Sequence, residues 1–524
     1  MKEALSFHWK AALRHEAAGD LPAAKAAYEA MLDIEPLQVV PQLRLSRFAQ
    51  IEDRYLASRA HALRASRTAS ATRATKDVGF VSLRLLAFAE EAEVGRLIKS
   101  LDWTDVEVLK QAAVLAQHLW LTGHHEEALA FLTRVGAKVR PSHLLSHTRA
   151  NVLRSLGRLQ EATEHYEYAL QLNPHDANTH RALAYHQQSI PPGARVERVR
   201  AAQRHHPADS SEQAHLCYAL FKELDGVGDI PGAWAALTRG AGLVQQRLDH
   251  DPLVEARQFE RLTQASPTPL TGTLPDYQGT ATPIFIVGMP RTGTTLLDRI
   301  LGNRTDVVSV GERNDFAASV SEASDHFFVG GLSESRWEKL EGMDFQRAGS
   351  IYLARLGELV GDRRFFIDKN PQNFFNIGLI LRALPHARIL CLQRDPMDTC
   401  FSNLKELFEG GAYPYSYSME GLAAHYRGFV GLLDHWKATA AGSVHVVRYE
   451  DLVSQDEATL GEILRFCGME DAPGMFEVTA NASPVSTASS SQVRQPINEL
   501  GLNAWKRYAG PLEPLRKMMD AIAS

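Results

Sequence analysis

Apolar residues in the first half of the chain recur every three to four positions, the period of amphipathic helices, with glycine-marked breaks between them. The recurring unit can be followed residue by residue. Gly123-His124-His125-Glu126-Glu127-Ala128-Leu129 returns as Gly157-Arg158-Leu159-Gln160-Glu161-Ala162-Thr163, with the two glycines 34 positions apart. The second copy continues through Tyr166, Ala169, Leu170 and Leu172 to Pro174. An earlier copy reads Gly19-Asp20, Ala24, Tyr28, Leu32, Ile34 and Pro36, and a later one Gly228-Asp229, Ala233 and Leu237. Each glycine predicts a turn between two helices, each alanine a close helix–helix contact, and the proline a helix end. The stretches at about 37–110 and 176–212 keep the helical period without the full pattern. Within the first of these, Arg64-Ala65-Ser66-Arg67-Thr68-Ala69-Ser70 reads as an exposed inter-helix loop.

The period and residue set resemble tetratricopeptide (TPR) repeats, which stack helix pairs into a superhelix. Such an array offers a groove to a protein or peptide partner, or a dimerisation or packing surface. It names no ligand by itself.

The pattern changes after about residue 250. Pro267, Pro269, Gly272, Pro275 and Gly279 crowd a polar stretch that reads as a linker over 251–280. Beyond it, Ile284-Phe285-Ile286-Val287 has the continuous apolar character of a buried parallel strand. It leads into Gly288-Met289-Pro290-Arg291-Thr292-Gly293-Thr294-Thr295 and then a helical run from Leu296. Strand, glycine-rich turn and helix start together predict an anion site, because backbone N–H groups converge where the helix dipole favours negative charge. The Gly288–Gly293 spacing is that of a nucleotide phosphate loop, but Thr294 stands where a nucleotide triphosphatase carries lysine. Arg291 supplies a cation from within the loop instead.

Composition narrows the class. The chain has 524 residues, 45% hydrophobic and 23% charged, which predicts an ordered protein of two or more domains. Its net charge of -6 argues against general nucleic-acid binding. Four scattered cysteines predict neither a disulfide framework nor a metal site, and His124-His125, His205-His206, His425 and His435 lack partners at ligand spacing. No apolar run approaches the roughly 18 residues of a membrane span, and no signal segment is evident, so a cytoplasmic location is expected.

Residues 288–296 resemble the 5′-phosphosulfate-binding loop of sulfotransferases, with Thr292 in place of the usual serine. That family transfers a sulfuryl group from 3′-phosphoadenosine 5′-phosphosulfate (PAPS), leaving 3′-phosphoadenosine 5′-phosphate (PAP). The resemblance implies that Arg291, Thr292, Gly293, Thr294 and Thr295 bind the 5′ end. Ala387 to Pro396 reads as a second strand ending at Arg394, with Ser402 eight residues on. This pair resembles the family's 3′-phosphate motif, and a guanidinium fork beside a hydroxyl suits a phosphate monoester. Lys405 is a further basic residue nearby.

Two charged groups follow apolar runs: Glu312 after Val307–Gly311, and Lys369 after Phe365–Asp368. Both resemble the tyrosylprotein sulfotransferases and the bacterial TPR sulfotransferases, which implies Glu312 as general base and Lys369 as stabiliser of the leaving group. Val446 to Leu452 resembles the family's RYEDL segment, implying that Tyr449 lies beside the cofactor. The Ser-rich stretch 486–497 resembles its cofactor-covering loop. There Ser489 matches a serine at the reacting group, Ser490, Gln492 and Val493 line the cofactor, and Arg494 reaches towards the 3′-phosphate. Trp505-Lys506-Arg507-Tyr508 resembles the bacterial WRRY pattern and implies a cofactor contact from Lys506. The chain departs from the tyrosylprotein enzymes after Glu312, where Arg313-Asn314-Asp315-Phe316 replaces their acceptor-binding continuation. Tyr413-Pro414-Tyr415-Ser416-Tyr417 lines an acceptor cleft or anchors a packed loop.

The expected architecture is an all-α TPR solenoid over 1–250, the linker, and an α/β P-loop-type domain with a parallel sheet over 281–524. The expected function is PAPS-dependent transfer, without a metal, to the hydroxyl of a peptide tyrosine, carbohydrate or small molecule. A protein partner on the repeats and a homodimer are compatible with it. The alternatives are a non-catalytic repeat scaffold with a nucleotide-binding module, and a P-loop nucleotide kinase.

Overall fold

The computed structural model describes residues 1–186, 193–264, 281–328, 338–340, 342–481, 483–485 and 494–523. The repeat glycines open the helix pairs as the sequence predicts. Lys2–Ala17 and Leu21–Ile34 flank Gly19, His143–Ser155 and Leu159–Leu172 flank Gly157, and Ser211–Val227 and Ile230–Gln245 flank Gly228. Gly19, Gly123, Gly157 and Gly228 all have φ between 74° and 82°, the left-handed region in which a Cβ is costly. The repeat alanines Ala24, Ala128, Ala162 and Ala233 are fully buried.

The segment Arg64–Ser70 is not a loop. It lies inside the helix Tyr55–Thr72, with Ala65, Ser66 and Ala69 buried. Small side chains there serve close packing: Ser46 and Ser58 donate reciprocally to each other's carbonyls at 2.7 and 2.6 Å, and the Ser66 hydroxyl donates to Glu93 at 2.6 Å. These hydroxyls are satisfied inside the protein, so their polarity does not mark solvent. Of the stretch read as a linker, Pro252–Gln264 is helical, while 265–280 with its prolines and glycines lies outside the described residues.

Five strands form a fully parallel sheet: β1 (Thr282–Gly288), β2 (Val307–Gly311), β3 (Phe365–Asp368), β4 (Arg388–Gln393) and β5 (Val444–Arg448). Their order is β2-β3-β1-β4-β5, with Ile286 opposite Leu390 and Ile284 opposite Ile367 at the centre. Ile284, Ile286, Ile367, Leu390 and Leu392 pack under Leu297, Ile300 and Leu301 of the helix Thr294–Leu301, in a core closed by Leu460, Ile463 and Leu464.

The chain divides into two compact units. One comprises Met1–Leu156 together with Asn314–Val329 and Arg336–Arg355. Its inserted segment is tied in by Arg355, whose guanidinium reaches Asp315 (2.9 Å), Glu90 (3.3 Å) and the carbonyl of Phe88 (2.9 Å). Phe327 packs edge-on against Tyr55 at 5.1 Å. The other unit comprises Gly157–Arg313 and Leu356–Ser524, so it holds the sheet and the helices from Leu159–Leu172 to Pro252–Gln264. Within it, Glu255 accepts from His425 (2.8 Å) and His250 (3.1 Å), pinning Pro252–Gln264 to the helix Met419–Thr439.

Candidate active site

Every strand of the sheet delivers one of the sequence-predicted groups at its C-terminal end. The loop 288–295 follows β1, Glu312 follows β2, Lys369 follows β3, Arg394 follows β4 and Tyr449 follows β5. This edge is where parallel α/β sheets place their ligands.

The loop after β1 is held from within and from behind. Thr292 donates its hydroxyl to the Met289 carbonyl at 2.7 Å, and Asn403 donates its amide to the Pro290 carbonyl at 2.9 Å. Arg291 is a non-glycine residue at φ 66°, a conformation that the surroundings must enforce. Thr294 and Thr295, both buried, start the helix Thr294–Leu301. Gly293, at φ 100°, leaves room for the Tyr449 ring, which a Cβ there would strike.

Arg394 is the hub. It donates to the Arg291 carbonyl (2.9 Å), to the Ser402 hydroxyl (3.4 Å) and to the Gly501 carbonyl, and its guanidinium lies 4.5 Å from the centroid of Tyr449. It forms no ion pair with Asp395 or Asp398. Instead Asp398 receives the amides of Asn503 (2.6 Å) and Trp505 (3.2 Å), fixing the C-terminal turn, and Glu450 receives the Asp395 amide at 2.8 Å. The buried Nε of Arg394 has no partner among the described residues. A donor left open beside the hydroxyl of Ser402 fits an incoming oxyanion.

Lys369 and Glu312 form an ion pair. The backbone sets it: the Lys369 amide donates to the Gly311 carbonyl at 3.0 Å, and Asn370 donates to the Arg313 carbonyl at 3.0 Å. Behind Lys369 lies Asp298, on the helix Thr294–Leu301. Burial pushes its carboxyl above the usual range, against the opposing pull of Lys369 and the Ser309 hydroxyl. Sequence reasoning missed Asp298; the signal was a carboxylate inside the apolar run Leu296–Leu301.

The remaining predicted groups are less gathered. Arg494 packs against Gly157 and its positive charge is felt at Arg299. Lys506 is exposed in the turn Ala504–Tyr508, while its neighbours Arg507 (3.1 Å) and Tyr508 (2.8 Å) bind Asp225. Ser489, Ser490, Gln492 and Val493 lie outside the described residues. Tyr413, Tyr415 and His425 line a small cavity with Met289, Pro290 and Phe374, next to the loop; its water-accessible volume is about 10 Å³. Tyr415 stacks on His425 at 3.4 Å, so this stretch is anchored by packing while facing a cavity.

Residues 283–473 match the sequence model of the sulfotransferase family, and residues 150–189 match that of the TPR repeat. The chain thus combines a stretch similar to TPR repeats with a longer one similar to sulfotransferases. An uncharacterised protein of Aquifex aeolicus (strain VF5) is 24% identical over 441 residues, covering 82% of this chain and 56% of its own length. The chain therefore spans little more than half of that relative. Protein-tyrosine sulfotransferase 1 of Danio rerio is 24% identical over 268 residues, covering 47% of this chain and 75% of its own. Among solved structures, the sulfotransferase domain from the curacin biosynthetic pathway is 18% identical with a TM-score of 0.33, covering 46% of this chain and 96% of its own. That from the Synechococcus PCC 7002 olefin synthase is 19% identical with a TM-score of 0.34, covering 48% and 97%. The described residues contain no cluster of three or more His, Cys, Asp or Glu able to hold a metal, and no described helix is long and apolar enough to cross a membrane.

Proposed function

We propose that the chain transfers a sulfuryl group from PAPS to an acceptor hydroxyl. The observation that carries this reading is the arrival of Arg291, Glu312, Lys369, Arg394 and Tyr449 at one edge of the sheet, one from each strand end. The open Nε of Arg394 supports the fit to a nucleotide phosphate.

PAPS supplies the sulfuryl group, its bond to the 5′-phosphate oxygen breaking as the acceptor oxygen bonds to sulfur. The loop amides from Arg291 to Thr295 and the Arg291 side chain hold the 5′ end, and Arg394 with Ser402 holds the 3′ end. Tyr449 supports Arg394 through its ring face. Glu312, 44% exposed at its side chain, takes the acceptor proton. A phenol, with a pKa near ~10, needs such a base to become nucleophilic at neutral pH. Lys369, held in a buried position, donates to the negative charge that grows on the departing phosphate. Positioning both partners on one rigid edge replaces a bimolecular encounter with aligned attack.

The acceptor class is open to peptide tyrosine, as the name of the Danio rerio relative suggests, and to other hydroxyls. The N-terminal helices are proposed to bind a protein partner or the acceptor. The test is calorimetric titration of the protein with PAP beside ATP and magnesium, followed by transfer assays from PAPS. Binding of PAP but not of magnesium ATP is expected; binding of ATP alone overturns the reading.

A further inference from the structure

The helix Pro396–Leu404, which carries Ser402, ends against repeat helices of the same compact unit. Tyr218, on Ser211–Val227, donates its hydroxyl to the Leu404 carbonyl at 3.1 Å. Tyr185, on Ala177–Tyr185, donates to the Lys405 carbonyl at 2.7 Å, and Arg181 donates to the Leu407 carbonyl at 3.4 Å. These donors satisfy carbonyls that a helix terminus leaves open. Lys222 sits one turn beyond Tyr218, with its Nζ 6.0 Å from the centroid of the Tyr185 ring.

Lys222 and Lys405 share an unusual position. Lys405 lies 4.8 Å from the Phe401 ring centroid, and neither ammonium has a hydrogen bond or ion pair among the described residues. Two carboxylates face them, and each also has another cationic neighbour. Asp225 binds Arg507 (3.1 Å) and Tyr508 (2.8 Å), and Glu406, 7% exposed, lies 4.0 Å from Arg291. Lys222 and Lys405 thus bring two further cations into the field of Arg291 and Arg394, with Asp225 and Glu406 opposing them. Like charges gathered away from water repel unless an anion joins them.

We propose that Lys222, contributed by a repeat helix, belongs with Arg291, Arg394 and Lys405 to an oxyanion subsite. The occupant is a phosphate, sulfate or carboxylate group, from the donor nucleotide or from an anionic acceptor. The inference rests on the nucleotide reading above, since Arg291 and Arg394 are shared with it. Electrostatics agrees with the geometry: burial and then Lys222, Arg291 and Arg394 disfavour the charged form of Lys405, and burial does the same for Lys222. The repeats then act as part of the binding machinery as well as a docking array.

The test compares wild type, Lys222→Met and Lys222→Arg in calorimetric titrations with PAP, adenosine 5′-phosphate and inorganic sulfate, with thermal melts in each. Met keeps the stem over Tyr185 and removes the charge. The expected result is PAP affinity lowered about tenfold or more in Lys222→Met and restored in Lys222→Arg, the scale of one charge-assisted contact. Loss for PAP but not adenosine 5′-phosphate assigns the anion to the 3′-phosphate, and equal loss assigns it to the 5′-phosphate. Loss for sulfate alone, with PAP unaffected, assigns it to an acceptor anion. Unchanged affinity for all three probes overturns the proposal, whether or not the melting temperature falls. Should wild type bind sulfate but not PAP, the nucleotide reading fails while the subsite stands or falls on the sulfate comparison.

Discussion

Lys369 and Glu312 pair across the ends of β3 and β2 with unequal surroundings: the lysine side chain is 2% exposed and the carboxylate 44%. The lysine is fixed and the carboxylate is reachable. This asymmetry suits a base that meets the acceptor from solvent while its partner stays with the nucleotide. Substituting Glu312→Gln is expected to lower turnover by about 10²–10⁴-fold, the usual contribution of a general base. PAP affinity should stay within a few-fold. Steady-state transfer rates and calorimetry on the same preparation check it, and intact turnover removes Glu312 from the role.

Arg394 makes its contacts to two carbonyls, a hydroxyl and a ring, and keeps one buried donor open. Removing it in Arg394→Ala is expected to weaken PAP binding ten- to hundredfold, the scale of about 1.5–3 kcal/mol for hydrogen bonds to a charged group. Equal affinity in the variant places the 3′-phosphate elsewhere.

Lys405 gives a proton signature. Burial, reinforced by Lys222, Arg291 and Arg394 and only partly opposed by Asp225, lowers its pKa to about 7. Above that pH the free protein holds Lys405 largely neutral, whereas a bound oxyanion favours the ammonium. Binding of PAP near pH 8 should therefore take up protons and weaken as pH rises through 7 and above. Titration in buffers of different ionisation enthalpy measures the uptake, and proton release or none contradicts it. The linkage for folding has the opposite sense. A lysine with a depressed folded pKa costs stability where it must be charged, so its contribution improves as pH rises from 7 towards the unfolded value.

Gly293 holds φ 100° directly under the Tyr449 ring. Gly293→Ala combines an unfavourable backbone region with a clash, each of order 1–3 kcal/mol. Melting temperature and PAP affinity are both expected to fall. A variant with unchanged affinity means that the ring can move without consequence for the nucleotide.

Arg355 stands between Asp315, which is 1% exposed, and Glu90. Arg355→Met removes the guanidinium that pairs with that buried carboxylate, at a cost of about 3–5 kcal/mol. A clear drop in the denaturation midpoint is expected, while Arg59→Met, a more exposed cation of the same network, should cost much less.

The site was legible wherever a strand ends in chemistry. Glycine spacing after β1 and single charged residues after β2, β3 and β4 carry their meaning within a few positions, because a parallel sheet turns a strand end into a place. The repeat turns were legible for the same reason, since a glycine at φ near 80° punctuates the chain locally. Lys222, Tyr185 and Tyr218 were not. A tyrosine whose partner carbonyl lies 186 or 220 residues away reads in sequence as one more residue of an amphipathic helix. Arg64–Ser70 was misread because its serines and threonines look solvated, although Ser66 is buried and bonded to Glu93. Asp298 was hidden by its apolar neighbours, where a lone carboxylate looks like a helix's outward edge.

Two residues beyond Glu312 the chain enters Asn314–Val329, which folds together with Met1–Leu156, while the helices from Leu159–Leu172 to Pro252–Gln264 fold with the sheet. Sequence order and structural membership therefore cross. A chimera that exchanged the first 156 residues for another protein's repeats would leave Asp315 facing a new neighbour in place of Glu90 and Phe327 without Tyr55. One that cut at the start of β1 would strip Leu404 and Lys405 of their tyrosine donors. Recombination can pass intact only through joints at which no such membership is split, so the repeats and the sheet-bearing region of this chain are expected to be inherited, and to drift, as a pair.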